Sequence, residues 1–273
     1  MPIAVFIHGG SWTGGTAYGD ASISPTSCVN ANTVMCALAA AGYAVYSINY
    51  TLAVSKDVAT QWPIQWQDCD CFFKFLAEQA GVTVPGNPNR IYVIGHSSGA
   101  HLAAMVTLAP HTAFPPNCTH TSTNYTIRAL ALLSPPLDLR QLYMGMPGAG
   151  IEGGVTNLLG CSPTEWATPD CIRLTQTVNP ASYVAQNQPP IQVQTGLSDA
   201  KVLFFFQGAL QSAYAGLNPS VNITWVIHPA PYGHDLDFFL FNPCSDDPTA
   251  LEPSPCGSLG QAYQSLATFF AMY

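Results

Sequence analysis

The chain has 273 residues, long enough for one large α/β domain with a substantial core. Only 8% of them are charged, seven Lys and Arg against fifteen Asp and Glu, so there is no basic surface to hold a phosphate backbone and nucleic acid is not expected as a partner. No run of about 18 apolar residues occurs, and the first residues lack a basic region followed by an apolar stretch and a cleavage site, so the sequence predicts neither a membrane span nor a signal peptide.

In chain order, Ile3–Ile7 is an apolar run that predicts a buried strand, and it leads into His8-Gly9-Gly10-Ser11-Trp12-Thr13-Gly14-Gly15. A glycine-rich turn directly after a strand either presents backbone N–H groups to an anion or is merely tight. Helix patterning over 26–41 ends at Gly42, and Tyr43–Asn49 reads as a second strand. Asp68–Ala80 reads as a helix with Cys71, Phe72, Phe75 and Leu76 on its apolar face, closed by Gly81.

Residues 90–105 organise the rest. Ile91-Tyr-Val-Ile94 predicts a buried strand, the small-residue run after Gly99 predicts a helix packed closely on it, and Gly95-His96-Ser97-Ser98-Gly99 lies between them. In a Gly-x-Ser-x-Gly turn of this kind the serine is held in a strained strand-to-helix corner, and side chains at the two glycines would collide with neighbouring backbone. Ser97 is therefore the candidate nucleophile.

Beyond it, Ile127–Leu133 is a further strand ending in Ser134-Pro-Pro-Leu-Asp138. Residues 139–190 lose clear periodicity and are rich in Gly, Pro, Thr and Asn, which predicts a lid inserted into the domain. Order returns with a strand over 191–195 running to Asp199, a helix over 201–215, a strand over 221–227, a loop over 229–235 and a final helix over 258–271. Strands alternating with helices at this spacing predict a parallel sheet covered on both faces.

Ligands of open α/β sheets bind at the carboxyl ends of strands, and hydrolases built on this elbow order their triad Ser, then Asp or Glu, then His. Asp199 and His234 fall in those places. Asp199 also suits a plain helix N-cap, with Asp138 and Asp170 as substitutes, and His228 rivals His234 although it is still on the strand. His8 reads as orienting the Gly9-Gly10 loop by a hydrogen bond; His96 and His101 read as supporting residues. Cys69-Asp-Cys71 and the scattered histidines give no metal spacing, and no Gly-x-Gly-x-x-Gly opens a helix after a strand, so neither metal nor nucleotide cofactor is expected.

Nine cysteines are many for a cytosolic protein. Cys161 with Cys171 and Cys244 with Cys256 sit in turn-rich stretches suited to disulfides, whereas Cys36 and Cys71 read as free buried thiols. Asn-x-Ser/Thr acceptor patterns occur at Asn49, Asn117, Asn124 and Asn222. Cysteines, acceptor sites and low charge together favour a secreted glycoprotein.

His8-Gly-Gly-Ser-Trp12, Asn89 through Ala104, Leu158-Leu-Gly-Cys-Ser-Pro163, Asn179-Pro-Ala-Ser-Tyr183 and Pro189 through Asp199 resemble, over essentially the whole chain, the carboxylesterase group of α/β-hydrolases. That group includes feruloyl and acetyl-xylan esterases, kynurenine formamidases and the hormone-sensitive-lipase branch. The resemblance implies an α/β-hydrolase fold, acyl transfer by Ser97, His234 and Asp199, oxyanion-hole N–H groups from Gly10, Ser11 and Ser98, and a pocket shaped by Trp12 and the lid, with Trp166 and Tyr143 as weaker contributors. It implies a small-molecule or polysaccharide-linked ester as substrate, and no cofactor. Ser98 stands where the group carries Ala, and only Met1 and Pro2 precede a strand that the group preceeds with an antiparallel pair. The expectation is therefore a truncated or mis-started chain with a sheet of about six parallel strands and 43–49 as an exposed edge. Two other activities remain open from sequence: arylformamidase, and a catalytically inactive binding module on the same fold.

Overall fold

The computed structural model describes residues 1–17, 34–55, 57–145, 151–203, 207–217, 223–230, 232–234 and 261–273. Its strands are β1 (Ile3–Ile7), β2 (Ala44–Ile48), β3 (Ile91–His96), β4 (Ile127–Leu133), β5 (Ile191–Gly196) and β6 (Ile223–His228). Its helices are α1 (Val34–Ala40), α2 (Ile64–Gln79), α3 (Ser98–Leu108), α4 (Leu139–Gly145), α5 (Glu152–Leu159), α6 (Pro169–Thr177), α7 (Gly208–Ala215) and α8 (Gln261–Ala271).

Among the described residues all strand pairs are parallel, in the order β2-β1-β3-β4-β5-β6, and β2 lies at an edge as expected. The period of two in each strand divides its residues between two cores. Ile3, Val5 and Ile7 with Ile91, Val93, Leu130 and Leu132 face one side, where they meet α2 and α3. Ala4, Tyr92, Ile94, Ala129, Ala131 and Leu133 face the other, against Val34 and Leu38 of α1 and Leu266, Phe269 and Phe270 of α8. From β1 the chain passes to β2 at one edge, then returns to β3 on the other side of β1 and continues to β6. The direction of winding thus reverses between β1 and β3, and their carboxyl ends flank the crevice where open α/β sheets bind ligands.

Three elements differ from the sequence reading. Helix α2 starts at Ile64, and its buried residues include Trp66, Cys69, Asp70, Phe73, Lys74 and Leu76, whereas Cys71, Phe72 and Phe75 are only half-buried. The polar pair disguised the apolar stripe: Lys74 Nζ lies 2.6 Å from Asp70 Oδ2, a pairing that lets both charges be buried among apolar neighbours. In the expected helix over 201–215, residues 201–203 form a turn and α7 begins at Gly208. The turn follows from Asp199, whose Oδ1 accepts the N–H groups of Lys201 and Val202. The weakly periodic stretch after β4 contains α4, α5, α6 and a 3₁₀ turn at Pro180–Tyr183, where Thr168 caps α6 and Asn179 caps the turn.

Cys161 and Cys171 are bonded as expected. Cys71 is not free but bonded to Cys118, and among the described residues the buried free thiol is Cys69. Cys71 sits on the half-buried flank of α2 beneath the loop 109–126, which is also fastened there by His111 to Asp70 (2.6 Å) and His120 to Glu78 (2.6 Å). Cys244, Cys256, Asn222 and the side chain of Cys36 lie outside the described residues. Asn117 and Asn124 are exposed on the same loop, and Asn49 uses its Oδ1 to accept the N–H of Ala17. No helix among the described residues is long and apolar enough to cross a membrane.

Candidate active site

Ser97 leaves β3 with φ 52° and ψ −124° and is the residue before α3. A non-glycine residue in this region carries strain of about 1–3 kcal/mol, which the packing around it must hold. That packing is visible at the two motif glycines. A Cβ at Gly99 would run into the carbonyl oxygens of Ile7 and His8, and one at Gly95 would strike the first turn of α3. The glycines therefore bring the elbow against the end of β1, next to the His8–Gly15 loop.

His234 and Asp199 complete a hydrogen-bonded chain. His234 Nε2 lies 2.9 Å from Ser97 Oγ, and its Nδ1 lies 2.9 and 3.1 Å from the two carboxylate oxygens of Asp199. Asp199 is buried and also receives the backbone N–H groups of Lys201 at 2.9 Å and Val202 at 2.8 Å. The helix N-cap reading of Asp199 does not hold, since α7 begins only at Gly208; this one carboxylate instead fixes the turn at 201–202 and orients His234. With Nδ1–H donated to Asp199, the Nε2 lone pair faces the serine hydroxyl and is placed to take its proton.

The other candidates lie elsewhere. His228 is buried with Nε2 2.9 Å from Gln194 Oε1, Asp138 accepts the N–H of Gln141 at the start of α4, and Asp170 pairs with Arg173 in solvent. His8 donates from Nδ1 to the oxygen of Gly9 at 2.7 Å, as its expected orienting role requires, and burial pushes its pKa down.

A cavity of about 230 Å³ opens at Ser97 and His234 and is lined also by Ser11, Trp12, Ser98, Pro136, Ile151, Lys201 and Val202. Ser11 and Trp12 hold φ of 53° and 61°, so this loop, like the elbow, is strained. The N–H groups of Ser11 and Ser98 donate to no other described group, and Ser98 opens α3, whose first-turn N–H groups have no partner within the helix. Trp12 forms part of the wall, but its indole is buried, with Nε1 donating to His101 Nδ1 at 3.3 Å. Trp166 is packed in the core and does not line the cavity; the side chain of Tyr143 lies outside the described residues. Among the described residues no His, Cys, Asp and Glu cluster suits a metal ion.

Three further residues take part, of which only His96 was read from the sequence, as a supporting residue. Tyr50 places its hydroxyl 3.1 Å from the His8 oxygen and 3.2 Å from Ser98 Oγ, and its ring stacks on His8 at 4.4 Å. His96 Nε2 donates to the oxygen of His234 at 3.0 Å, fixing the loop that carries the candidate base. Lys201 is the one cation among the residues lining the cavity. No local pattern marks these residues, because their contacts join distant parts of the chain.

Comparison with known proteins identifies the family and the fold. The profile of the BD-FAE family matches residues 1–212. A truncated carbohydrate esterase from gut microbiota superposes with a TM-score of 0.70 at 20% identity, covering 99% of this chain and 85% of that one. An acetyl ester-xyloside bifunctional hydrolase from Caldicellulosiruptor lactoaceticus gives 0.64 at 19% identity over 87% and 76%. An inhibited esterase B from Lactobacillus rhamnosis gives 0.64 at 21% identity over 100% and 77%. Comparison with curated protein sequences found no match. The chain belongs to the BD-FAE family, an α/β-hydrolase esterase family, and its six-stranded parallel sheet is the α/β-hydrolase fold.

Proposed function

We propose that this BD-FAE family member is an extracellular serine carboxylesterase that cleaves small or aromatic esters, of acetyl or feruloyl type, free or carried on a polysaccharide. The observation that carries the reading is the continuous chain from Ser97 Oγ through His234 to a buried Asp199, opening on a cavity beside the Ser11 and Ser98 N–H groups, which have no partner among the described residues.

In this mechanism His234 removes the Ser97 proton as Oγ attacks the ester carbonyl, while Asp199 holds the imidazole in the required tautomer and stabilises the imidazolium. The N–H groups of Gly10, Ser11 and Ser98 receive the charge that develops on the carbonyl oxygen. Loss of one such donor costs about 3–4 kcal/mol of transition-state stabilisation. His234 then protonates the leaving alcohol, and water repeats the cycle on the acyl-enzyme. No metal or cofactor enters any step.

The cavity volume and the apolar Pro136, Ile151 and Val202 in its wall favour a short acyl chain or a single ring. Residues 139–190 act as a lid on one α/β-hydrolase domain, since Ile151 comes from this segment. The two disulfides among the described residues and the exposed Asn117 and Asn124 support an oxidising, glycosylating compartment.

Short p-nitrophenyl esters, methyl ferulate, acetylated xylan and N-formylkynurenine assayed side by side test the reading. Hydrolysis of one or more esters that disappears in Ser97→Ala, with an organophosphate labelling Ser97 alone, is the expected result. Full esterase activity in Ser97→Ala, or label on another serine, would overturn the assignment; turnover of the formamide alone would move the protein to the amidase branch.

A further inference from the structure

The loop after β1 is strained at Ser11 and Trp12 and carries a donor that the proposed chemistry needs, so something must hold it. Its backbone has local ties: Thr13 and Gly14 donate to the Gly10 oxygen at 3.0 Å, and Ala53 donates to the Trp12 oxygen at 2.8 Å. Two further contacts come from the segment between β4 and β5. Gly154 of α5 lies so close that a Cβ there would strike the Ser11 oxygen. The second contact passes through a side chain of α3. His101, fully buried, places Nε2 2.7 Å from the oxygen of Val178, the residue that ends α6, and Nδ1 3.3 Å from Trp12 Nε1.

Donor and acceptor chemistry fixes the direction of this chain. A carbonyl only accepts, so Nε2 carries the hydrogen; an indole N–H only donates, so Nδ1 is the bare nitrogen. Both bonds therefore require one neutral tautomer. Burial favours the neutral ring and pushes the His101 pKa to about 4. Trp62 closes the far side of the imidazole, its ring centroid 5.9 Å away.

We propose that His101 is a positioning residue for the oxyanion hole, tying Trp12, and with it the neighbouring Ser11 N–H, to the end of α6. The inference rests on the esterase reading above. It gives the β4–β5 segment a second role beside walling the cavity, that of bracing the catalytic loop from behind.

The test compares His101→Leu, which breaks both bonds, with His101→Gln, whose amide oxygen accepts from Trp12 while its NH₂ donates to Val178. Trp12→Phe, which removes only the indole N–H, provides a route that spares Val178 should the leucine variant fail to fold. With p-nitrophenyl acetate, His101→Leu and Trp12→Phe should each lower kcat about 10–100-fold with KM within about twofold, somewhat less than outright loss of a donor. The double variant should fall no further, because the two residues act as a unit. His101→Gln should recover most of the rate. An aryl trifluoromethyl ketone, whose serine adduct places an oxyanion on the same donors, should bind more weakly by the same factor as the fall in kcat/KM.

Wild-type kcat in a folded His101→Leu and in Trp12→Phe, or unchanged affinity for the ketone, would overturn the proposal. So would losses that follow only the folded fraction measured by thermal melting. Ser97→Ala run in parallel separates the two failures: an active Ser97→Ala sinks the esterase reading, whereas an inactive one beside wild-type rates in the His101 and Trp12 variants sinks the positioning role alone.

Discussion

Replacing Asp199 by Asn changes one atom at the centre of the site, and the structure says which way the new amide must turn. Oδ1 of Asp199 receives two backbone N–H groups, from Lys201 and Val202, and lies 3.1 Å from His234 Nδ1, whereas Oδ2 has only His234 Nδ1 as hydrogen-bond partner among the described residues and lies nearer to it, at 2.9 Å. Turning the NH₂ toward the backbone would set donor against donor twice, at about 1–3 kcal/mol for each unsatisfied group. The amide oxygen therefore keeps the Oδ1 position and the NH₂ points at Nδ1. Nδ1 must then accept, which moves the imidazole proton to Nε2, where it faces Ser97 Oγ and leaves no lone pair to take the serine proton. A wrong-tautomer change of this kind lowers kcat by about 10⁴-fold in serine proteases, equivalent to about 5.4 kcal/mol. Since Asn fills the same space and keeps both backbone bonds, KM and melting temperature should change little. Steady-state hydrolysis of p-nitrophenyl acetate by Asp199→Asn measures this, with Asp138→Asn as a variant expected to cost far less. An Asp199→Asn enzyme within tenfold of wild type would refute the tautomer argument.

Two other predictions concern the loop 109–126. The Cys71–Cys118 bridge spans 47 residues of sequence, for which the chain-entropy relation gives about 4 kcal/mol, against about 3 for Cys161–Cys171 with a separation of 10. Joint replacement of Cys71 and Cys118 by Ser should lower the melting temperature by about 10 °C; alkylation of both cysteines without reductant would show the bridge absent and remove a main support for an extracellular protein. Glu78 fastens the same loop through the His120 ring and the N–H groups of Ser122 and Thr121, which together lower its pKa from 4.5 to about 2. A depressed folded pKa contributes stability that is fully present above pH 4.5 and lost as pH falls toward 2. Glu78→Gln should therefore melt below wild type at pH 6, with the gap narrowing below pH 4.5 and closing only toward pH 2; a gap of constant size across that range would contradict the assigned cause.

What could be read from the sequence depended on how local its cause was. The elbow needs only a strand, a tight turn with two glycines and a helix, all contiguous in 91–108, and it was legible there. The candidates Asp199 and His234 were read from their places at strand ends, and the structure brings them together with Ser97 because the parallel sheet carries successive carboxyl ends to one rim. The buried face of α2 was misread because Asp70 and Lys74 neutralise each other inside the apolar stripe, and that pairing also hid which cysteine faces the loop. The helices after β4 were missed because each spans only 7–9 residues and carries little periodic signal. Tyr50 with Ser98, His101 with Val178, and His96 with His234 join residues 48, 77 and 138 apart, and no local pattern marks such pairs.

Ser98 shows how a departure from the resembling esterases fits without disturbing the chemistry assigned to its backbone. An oxyanion bound by N–H groups from two segments, the loop after β1 and the first turn of α3, depends on the spacing between those segments more than on the interior of either. Gly99 sets the closest approach, because its missing side chain lets α3 rest on the carbonyls of Ile7 and His8. Tyr50, just beyond β2, holds the spacing from the other direction: its single hydroxyl proton goes to the His8 oxygen at 3.1 Å, so the contact at 3.2 Å is one in which Ser98 Oγ donates. An alanine at 98 would supply the same backbone N–H but not this bond, leaving Tyr50 tied to the β1 loop alone. The serine thus adds a link between the two halves of the proposed oxyanion hole, by a route that does not pass through His101.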